Sequence, residues 1–250
     1  MSGRRVLVAA NWKMHHLAAD ARAFCRRLAA GGSPSPEVVI FPSFPLLPVV
    51  AGELSEIAVA VGGQDLHPED AGAHTGDVSA VQLADAGCSW ALAGHSERRH
   101  DHGEDDALVA AKATAAGRHG LKPILCLGET GDERRAGRTF EVLDRQLAAA
   151  LRSLPDDPAA FAVAYEPVWA IGTGDTATPE TAQEAHAWLR RRVGELRGAA
   201  AADALRLLYG GSVKPGNAAE LIGQPDVDGF LVGGASLDAE SFLAIIAACA

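Results

Sequence analysis

Eight short apolar runs punctuate the chain, at 6–10, 38–41, 57–61, 90–93, 124–127, 161–165, 205–209 and 230–232. Most are continuously apolar rather than alternating. That marks strands covered on both faces, as in a parallel sheet. Between them the period becomes helical. Ala21, Phe24, Cys25 and Leu28 follow an i, i+3, i+4, i+7 spacing, and so do Phe242, Ile245, Ile246 and Cys249. Phe140, Leu143, Leu147, Leu151 and Leu154 extend a similar stripe over roughly four turns. Thr178-Pro179-Glu180 reads as an N-cap, a proline at the first helical position and a first-turn carboxylate. The helix after it is predicted to bury Ala182, Ala185, Leu189, Val193 and Leu196.

Eight strands alternating with roughly eight helices, at a period of about 31 residues, predict an α/β fold of the (β/α)8 barrel type. A doubly wound open sheet also alternates. It more often carries a glycine-rich nucleotide turn after its first strand, where this chain has Asn11-Trp12-Lys13. No linker, charge run or low-complexity stretch interrupts the pattern, so one domain is expected over 1–250. One connection is long, 64–77, with Pro68, Gly72 and Gly76. Loops of that length in compact domains usually have a function.

The length of 250 residues suits one such barrel. The net charge of −10 argues against non-specific binding of nucleic acid or anionic membranes. Any anionic substrate would then have to meet a locally positive site. Arginine is the default cation, with 18 Arg against only 4 Lys (Lys13, Lys112, Lys122 and Lys214), so each lysine draws notice. Lys112, Lys122 and Lys214 have no role legible in the sequence. Cys25, Cys88, Cys126 and Cys249 are scattered, with no C-x-x-C pair. A reduced, cytoplasmic protein is expected, without a secretory leader at residues 1–10 and without a transmembrane helix.

Chemistry in a barrel sits at the C-terminal ends of the strands. That rule selects Asn11 and Lys13, then Gly94 through Arg99 with His95, Ser96 and Glu97, then Glu166 and the residues to Gly174. It also selects Gly210-Gly211-Ser212 and Gly233-Gly234. Glycine permits positive φ and leaves backbone N–H groups open to a close ligand. Helix N-termini and the loops after strands seven and eight suit a phosphate. The bland alternative is that these glycines serve only tight turns.

Lys13 could be a solvated charge, but a compact ammonium after a strand suits one substrate oxygen. His95 at a helix start is placed to be a neutral hydrogen-bond donor rather than a core histidine. Glu166, beside an apolar strand, suits general-base work better than a structural ion pair. His100-Asp101-His102 reads as a solvated turn rather than a metal pair, and no metal is expected. Gly172-Thr173-Gly174 lacks the third glycine of a dinucleotide fingerprint, and Lys214 spoils a nucleophile elbow at Gly210 to Lys214.

Asn11-Trp12-Lys13-Met14, Gly94 to Arg99, Ala164 to Gly174, Tyr209 to Val213 and Leu231 to Leu237 together resemble the triosephosphate isomerases over essentially the whole chain. The resemblance implies interconversion of dihydroxyacetone phosphate and D-glyceraldehyde 3-phosphate in glycolysis and gluconeogenesis, with no cofactor and no metal. It implies Glu166 as the base and His95 as the neutral electrophile, with Asn11 and Lys13 stabilising the enediolate. Glu97 would be a partner of Lys13. Backbone N–H groups of Gly172, Ser212, Gly233 and Gly234 would hold the phosphate. Residues 167–176 resemble a closing lid, with Ile171 and Leu231 clamping over Glu166. The 64–77 loop resembles a dimer loop with Thr75 near the partner's active site, so a homodimer is implied. His15, Asp65, His74 and Asp175 depart from the residues common in the family.

Two other enzymes and a non-enzyme compete with this reading. An isomerase of a four-carbon ketose phosphate would share the Lys, His and Glu but differ in the phosphate loops. A Schiff-base aldolase would need a desolvated lysine on an inner strand, which neither Lys13 nor Lys122 supplies. A binding-only barrel would not need Asn11, Lys13, His95 and Glu166 intact.

Overall fold

The structure is a computed structural model that describes residues 3–152, 154–170 and 177–250. Its strands are β1 (Leu7–Asn11), β2 (Glu37–Phe41), β3 (Val59–Gly63), β4 (Trp90–Ala93), β5 (Lys122–Leu127), β6 (Ala162–Tyr165), β7 (Arg206–Tyr209) and β8 (Gly229–Val232). They pair in parallel in chain order, and β8 returns to β1 to close the barrel. Closure leaves no sheet edge to protect.

Strand parity divides the core in two. Leu7, Ala9, Val39, Phe41, Trp90, Leu92, Ile124, Cys126, Ala162, Ala164, Leu208 and Leu231 form a cluster of strand residues alone, which fills the lumen. Their neighbours Val8, Ala10, Val38, Ile40, Ala91 and Ala93 pack instead with helix residues. Both faces are therefore apolar, which explains the unbroken hydrophobic runs. Two residues beyond Ala9, Ala164, Leu208 and Leu231 come Asn11, Glu166, Gly210 and Gly233. The period of two thus carries these four to the mouth of the barrel.

Two strand boundaries differ from expectation in an instructive way. The third strand runs to Gly63 rather than ending at Val61. Gly62 and Gly63 add nothing to the apolar run, but a Cβ at Gly62 would lie 2.3 Å from the Phe41 ring, and one at Gly63 would lie 2.6 Å from Leu83. Close approach of a lumen ring to Gly62 and of the helix Ala80–Asp85 to Gly63 favours glycine at both positions. The first strand also extends by one residue, to Asn11.

Eleven α-helical segments occur among the described residues, because three connections hold two each. Ser96–Asp101 and Asp106–Arg118 both follow β4. The helix Pro179–Arg197 starts as predicted, with the Thr178 hydroxyl accepting the Thr181 N–H. It buries Ala182, Ala185, Leu189 and Val193, but Leu196, in its last turn, is exposed, and His186 is buried instead. The helix Thr139–Leu151 stops short of Leu154, which is nonetheless buried. His100-Asp101-His102 is solvated as expected, but it is a helix end rather than a turn: the first two residues close the helix Ser96–Asp101 and His102 caps it. Among the described residues no helix is long and apolar enough to cross a membrane, and all four cysteines are free.

The lysines left without a role acquire surroundings. Lys122 and Arg206 both lie over the Trp90 ring, at 5.4 and 5.3 Å from its centroid, at the base of the barrel. Lys112 is buried between two carboxylates, as described below.

Candidate active site at the barrel mouth

A cleft of about 440 Å³ opens at the C-terminal ends of the strands. Asn11, Lys13, His95, Glu166, Ser212, Leu231, Gly233 and Gly234 all line it. Lys214, which sequence reasoning left unassigned, lines it too. Ile171 and Gly172 lie outside the described residues, with the rest of 171–176.

His95 is the N-cap of the helix Ser96–Asp101. Its Nδ1 accepts the Glu97 N–H at 3.3 Å. An imidazole nitrogen that accepts a hydrogen bond carries no proton, so the ring is neutral and its proton sits on Nε2. That nitrogen faces Glu166 Oε1 at 3.0 Å. Both side chains are almost fully buried.

Glu166 follows β6. Its Oε2 accepts the Ser96 N–H at 2.9 Å, at the start of the same helix. Its backbone is held closely against the end of β5, since its N–H donates to Leu127 O and a Cβ at Gly128 would lie 1.7 Å from its carbonyl oxygen. Beneath it, burial and the Glu166 carboxylate push the Cys126 thiol well above its ordinary pKa.

Lys13 holds φ at +52°, a conformation rare outside glycine. Three contacts hold it there. Its N–H donates to Asn11 Oδ1 at 3.1 Å, its carbonyl accepts from Gln64 Nε2 at 2.8 Å, and its ammonium meets Glu97 Oε1 at 2.5 Å. Glu97 does not line the cleft but touches Lys13, which does.

At the other end of the cleft, the glycines act differently from the sequence expectation. None of Gly210, Gly211, Gly233 and Gly234 adopts positive φ. A Cβ at Gly211 would lie 2.2 Å from the Tyr209 hydroxyl, and one at Gly210 would lie 2.9 Å from Glu166 Cγ. Those two glycines are required by packing. Gly234 has open space on its Cβ side, and Gly233 faces the Lys13 stem. Among the described residues, the N–H groups of Ser212, Gly233 and Gly234 have no protein acceptor, so three donors remain for an anion.

Glu129 was not apparent from sequence. It is fully buried and accepts from the Tyr165 hydroxyl at 3.1 Å and from Trp169 Nε1 at 3.0 Å. Trp169 belongs to the short turn Val168–Ala170 that leads toward residue 171. Arg134 stacks on its ring at 4.4 Å.

Thr75 is exposed on the 64–77 loop and does not line the cleft. On the same loop His67, His74 and Asp77 bring potential ligand atoms within 4.8 Å of one another. Each imidazole already has a protein partner: His67 Nδ1 accepts the Glu69 N–H, and His74 Nε2 pairs with the Glu69 carboxylate. Their rings stack at 3.8 Å, so they would have to fan apart to share an ion.

The family model described as triosephosphate isomerase matches residues 6–249. The chain is similar to a triosephosphate isomerase of Thermus thermophilus, at 49% identity over 97% of this chain and 98% of that one. It is 51% identical to one of Moorella thermoacetica, over 97% and 98%. It is 52% identical to one of Nitratidesulfovibrio vulgaris, over 97% and 99%.

Proposed function

Because the chain belongs to the triosephosphate isomerase family, we propose that the residues of its barrel mouth divide that family's reaction among them as follows. The activity is an aldose–ketose isomerisation of a phosphorylated triose, dihydroxyacetone phosphate to D-glyceraldehyde 3-phosphate and back. It serves glycolysis and gluconeogenesis.

Glu166 removes the proton from the carbon next to the carbonyl, and the C–H electron pair moves into an enediolate. His95 Nε2–H donates to the carbonyl oxygen and carries protons between the two oxygens. Glu166, now protonated, returns its proton to the neighbouring carbon. No net oxidation occurs, so no redox cofactor is needed. The Lys13 ammonium and the Asn11 amide offset the charge that develops on oxygen. The phosphate is gripped by N–H groups of Ser212, Gly233 and Gly234, joined by Gly172. Such donors carry no net charge, which reconciles an anionic substrate with a chain of net charge −10.

The lid role of residues 167–176 rests on the same family membership. Ile171 and Leu231 would cover Glu166 and exclude water, because an exposed enediol phosphate eliminates phosphate.

One observation carries the reading: the contact between His95 Nε2 and Glu166 Oε1, with a neutral imidazole, beside Lys13. A coupled assay on purified protein, comparing triose with tetrose phosphates, tests it. Faster tetrose turnover would overturn the substrate.

A homodimer is supported by exposed apolar side chains next to the site. Met14 is 93% exposed and Leu17 is 75% exposed, directly after Lys13, and Thr75 stands free on its loop. Sedimentation that yields only a 25.8 kDa species at micromolar concentration would exclude it. Four free thiols support a reducing compartment such as the cytoplasm.

A further inference from the structure

Gln64 and Asp65 sit at the root of the long loop after β3, outside the cleft. Each is half-buried and each reaches a different part of the catalytic apparatus. Gln64 Nε2 donates to Lys13 O at 2.8 Å and to Phe41 O at 2.9 Å. It therefore holds the backbone of the one lysine at positive φ, from the side opposite Asn11.

Asp65 reaches the helix that His95 caps. Its Oδ2 meets Arg98 Nη2 at 2.9 Å, and its Oδ1 meets Lys112 Nζ at 2.6 Å. Both cations also bind one oxygen of Glu104, Arg98 Nε at 2.8 Å and Lys112 Nζ at 2.5 Å. The four side chains form a closed ring of alternating charge, with Lys112 and Glu104 buried. Arg98 is the residue after Glu97, and its own N–H bonds the His95 carbonyl. Glu97 in turn binds the Lys13 ammonium. A circuit results: Gln64 to Lys13, Lys13 to Glu97, Glu97 along the helix to Arg98, Arg98 to Asp65, and Asp65 back to Gln64 through one peptide bond.

We propose that Gln64 and Asp65 are positioning residues that together set the placement of Lys13 relative to His95. A peptide bond is stiff, so the dipeptide acts as a strut between the cation and the electrophile. Asp65 has a specific advantage in this place. It offers an acceptor to each of two cations, whereas an amide would turn an NH2 group toward one of them. The inference rests on the isomerase reading above, in which Lys13 and His95 share one enediolate.

The test compares Asp65→Asn and Gln64→Leu with the parent enzyme. It measures kcat and KM, thermal midpoint, and inhibition by two probes, 2-phosphoglycolate and inorganic phosphate. The planar carboxylate of 2-phosphoglycolate resembles the enediolate and engages Lys13 and His95, whereas phosphate needs mainly the glycine loops. Each variant is expected to lose about tenfold in kcat and in 2-phosphoglycolate affinity, with phosphate affinity changed by less than about threefold. A merely structural role would lower the thermal midpoint but leave the ratio of the two affinities fixed. That result, or an unchanged kcat, overturns the proposal. Should Asp65→Asn fail to fold, Gln64→Leu decides on the same two measurements, because it acts from the Lys13 side. If the parent enzyme itself does not bind 2-phosphoglycolate or turn over triose phosphate, the isomerase reading fails instead.

Discussion

His95 Nε2 lies 3.0 Å from Glu166 Oε1, so the proposed electrophile and the proposed base are in direct contact. Both are held from behind by one short helix: His95 through the Glu97 N–H and Glu166 through the Ser96 N–H. A substrate must replace their mutual contact with its own carbonyl and C–H group. Shortening the base or altering the ring should therefore damage chemistry rather than folding. Glu166→Asp and His95→Gln are each expected to lower kcat by about 100- to 10,000-fold. Thermal midpoints and circular dichroism should stay near those of the parent. Normal turnover by Glu166→Ala would remove Glu166 from the mechanism.

Lys13 unites a strained backbone with a single-point contact to Glu97. Lys13→Arg keeps the charge but replaces a compact ammonium by a planar fork that cannot reproduce the single-point contact to Glu97 and still meet one substrate oxygen. It is expected to reduce kcat/KM by about 100-fold, as a misplacement of about 1 Å would. Lys13→Met should lose more. Steady-state kinetics at matched ionic strength distinguishes the two. Equal activity of Arg and Lys at this position would show that charge alone matters.

The barrel was legible because its strands are apolar on both faces, and that signal needs no knowledge of partners. The site was legible because strand ends select residues by position. The third strand runs past its apolar run because Gly62 and Gly63, which relieve contact with Phe41 and Leu83, look in sequence like any loop glycine. The same ambiguity hid the reason for Gly210 and Gly211, which serve packing rather than positive φ. Lys112, Asp65 and Glu104 could not be joined in advance. Lys112 and Asp65 lie 47 residues apart, and nothing local to either one names the other. Leu196 continued an apolar stripe, but its position in the final turn leaves it beyond the packed face.

His186 supplies a pH dependence of stability. It is fully buried between Tyr165 and Tyr209, with Nδ1 against the Ala182 carbonyl. Burial lowers its pKa below the ordinary 6.5. The unfolded chain then takes up a proton near pH 6.5 that the native state refuses. The stabilisation is whole above that pH and is lost as pH falls through the lower native value. His186→Phe removes the titration, so its urea midpoint should fall less than the parent's between about pH 7 and pH 5. Parallel losses in the two proteins would exclude His186 as the source.

Gly128 tests how tightly the proposed base, Glu166, is held. A Cβ there would lie 1.7 Å from the Glu166 carbonyl oxygen and 2.7 Å from its carbonyl carbon. Backbone cannot yield as a flexible side chain can, so Gly128→Ala must push the end of β5 and the segment that begins at Glu166 apart. The Gly128 N–H and carbonyl are also paired with the Gln146 amide, at 2.9 and 3.3 Å, so the strand end cannot simply swing away. The displacement falls on Glu166, whose N–H is bonded to Leu127 O at 2.7 Å, the residue before Gly128. A shift of about 1 Å in the base is expected to cost about 100-fold in kcat. Phosphate inhibition should change little, because Ser212, Gly233 and Gly234 follow other strands, β7 and β8. The variant should also lose about 1–3 kcal/mol of stability from overpacking, read from urea unfolding. A Gly128→Ala enzyme with parental kcat would mean that the clamp on Glu166 is looser than these contacts require.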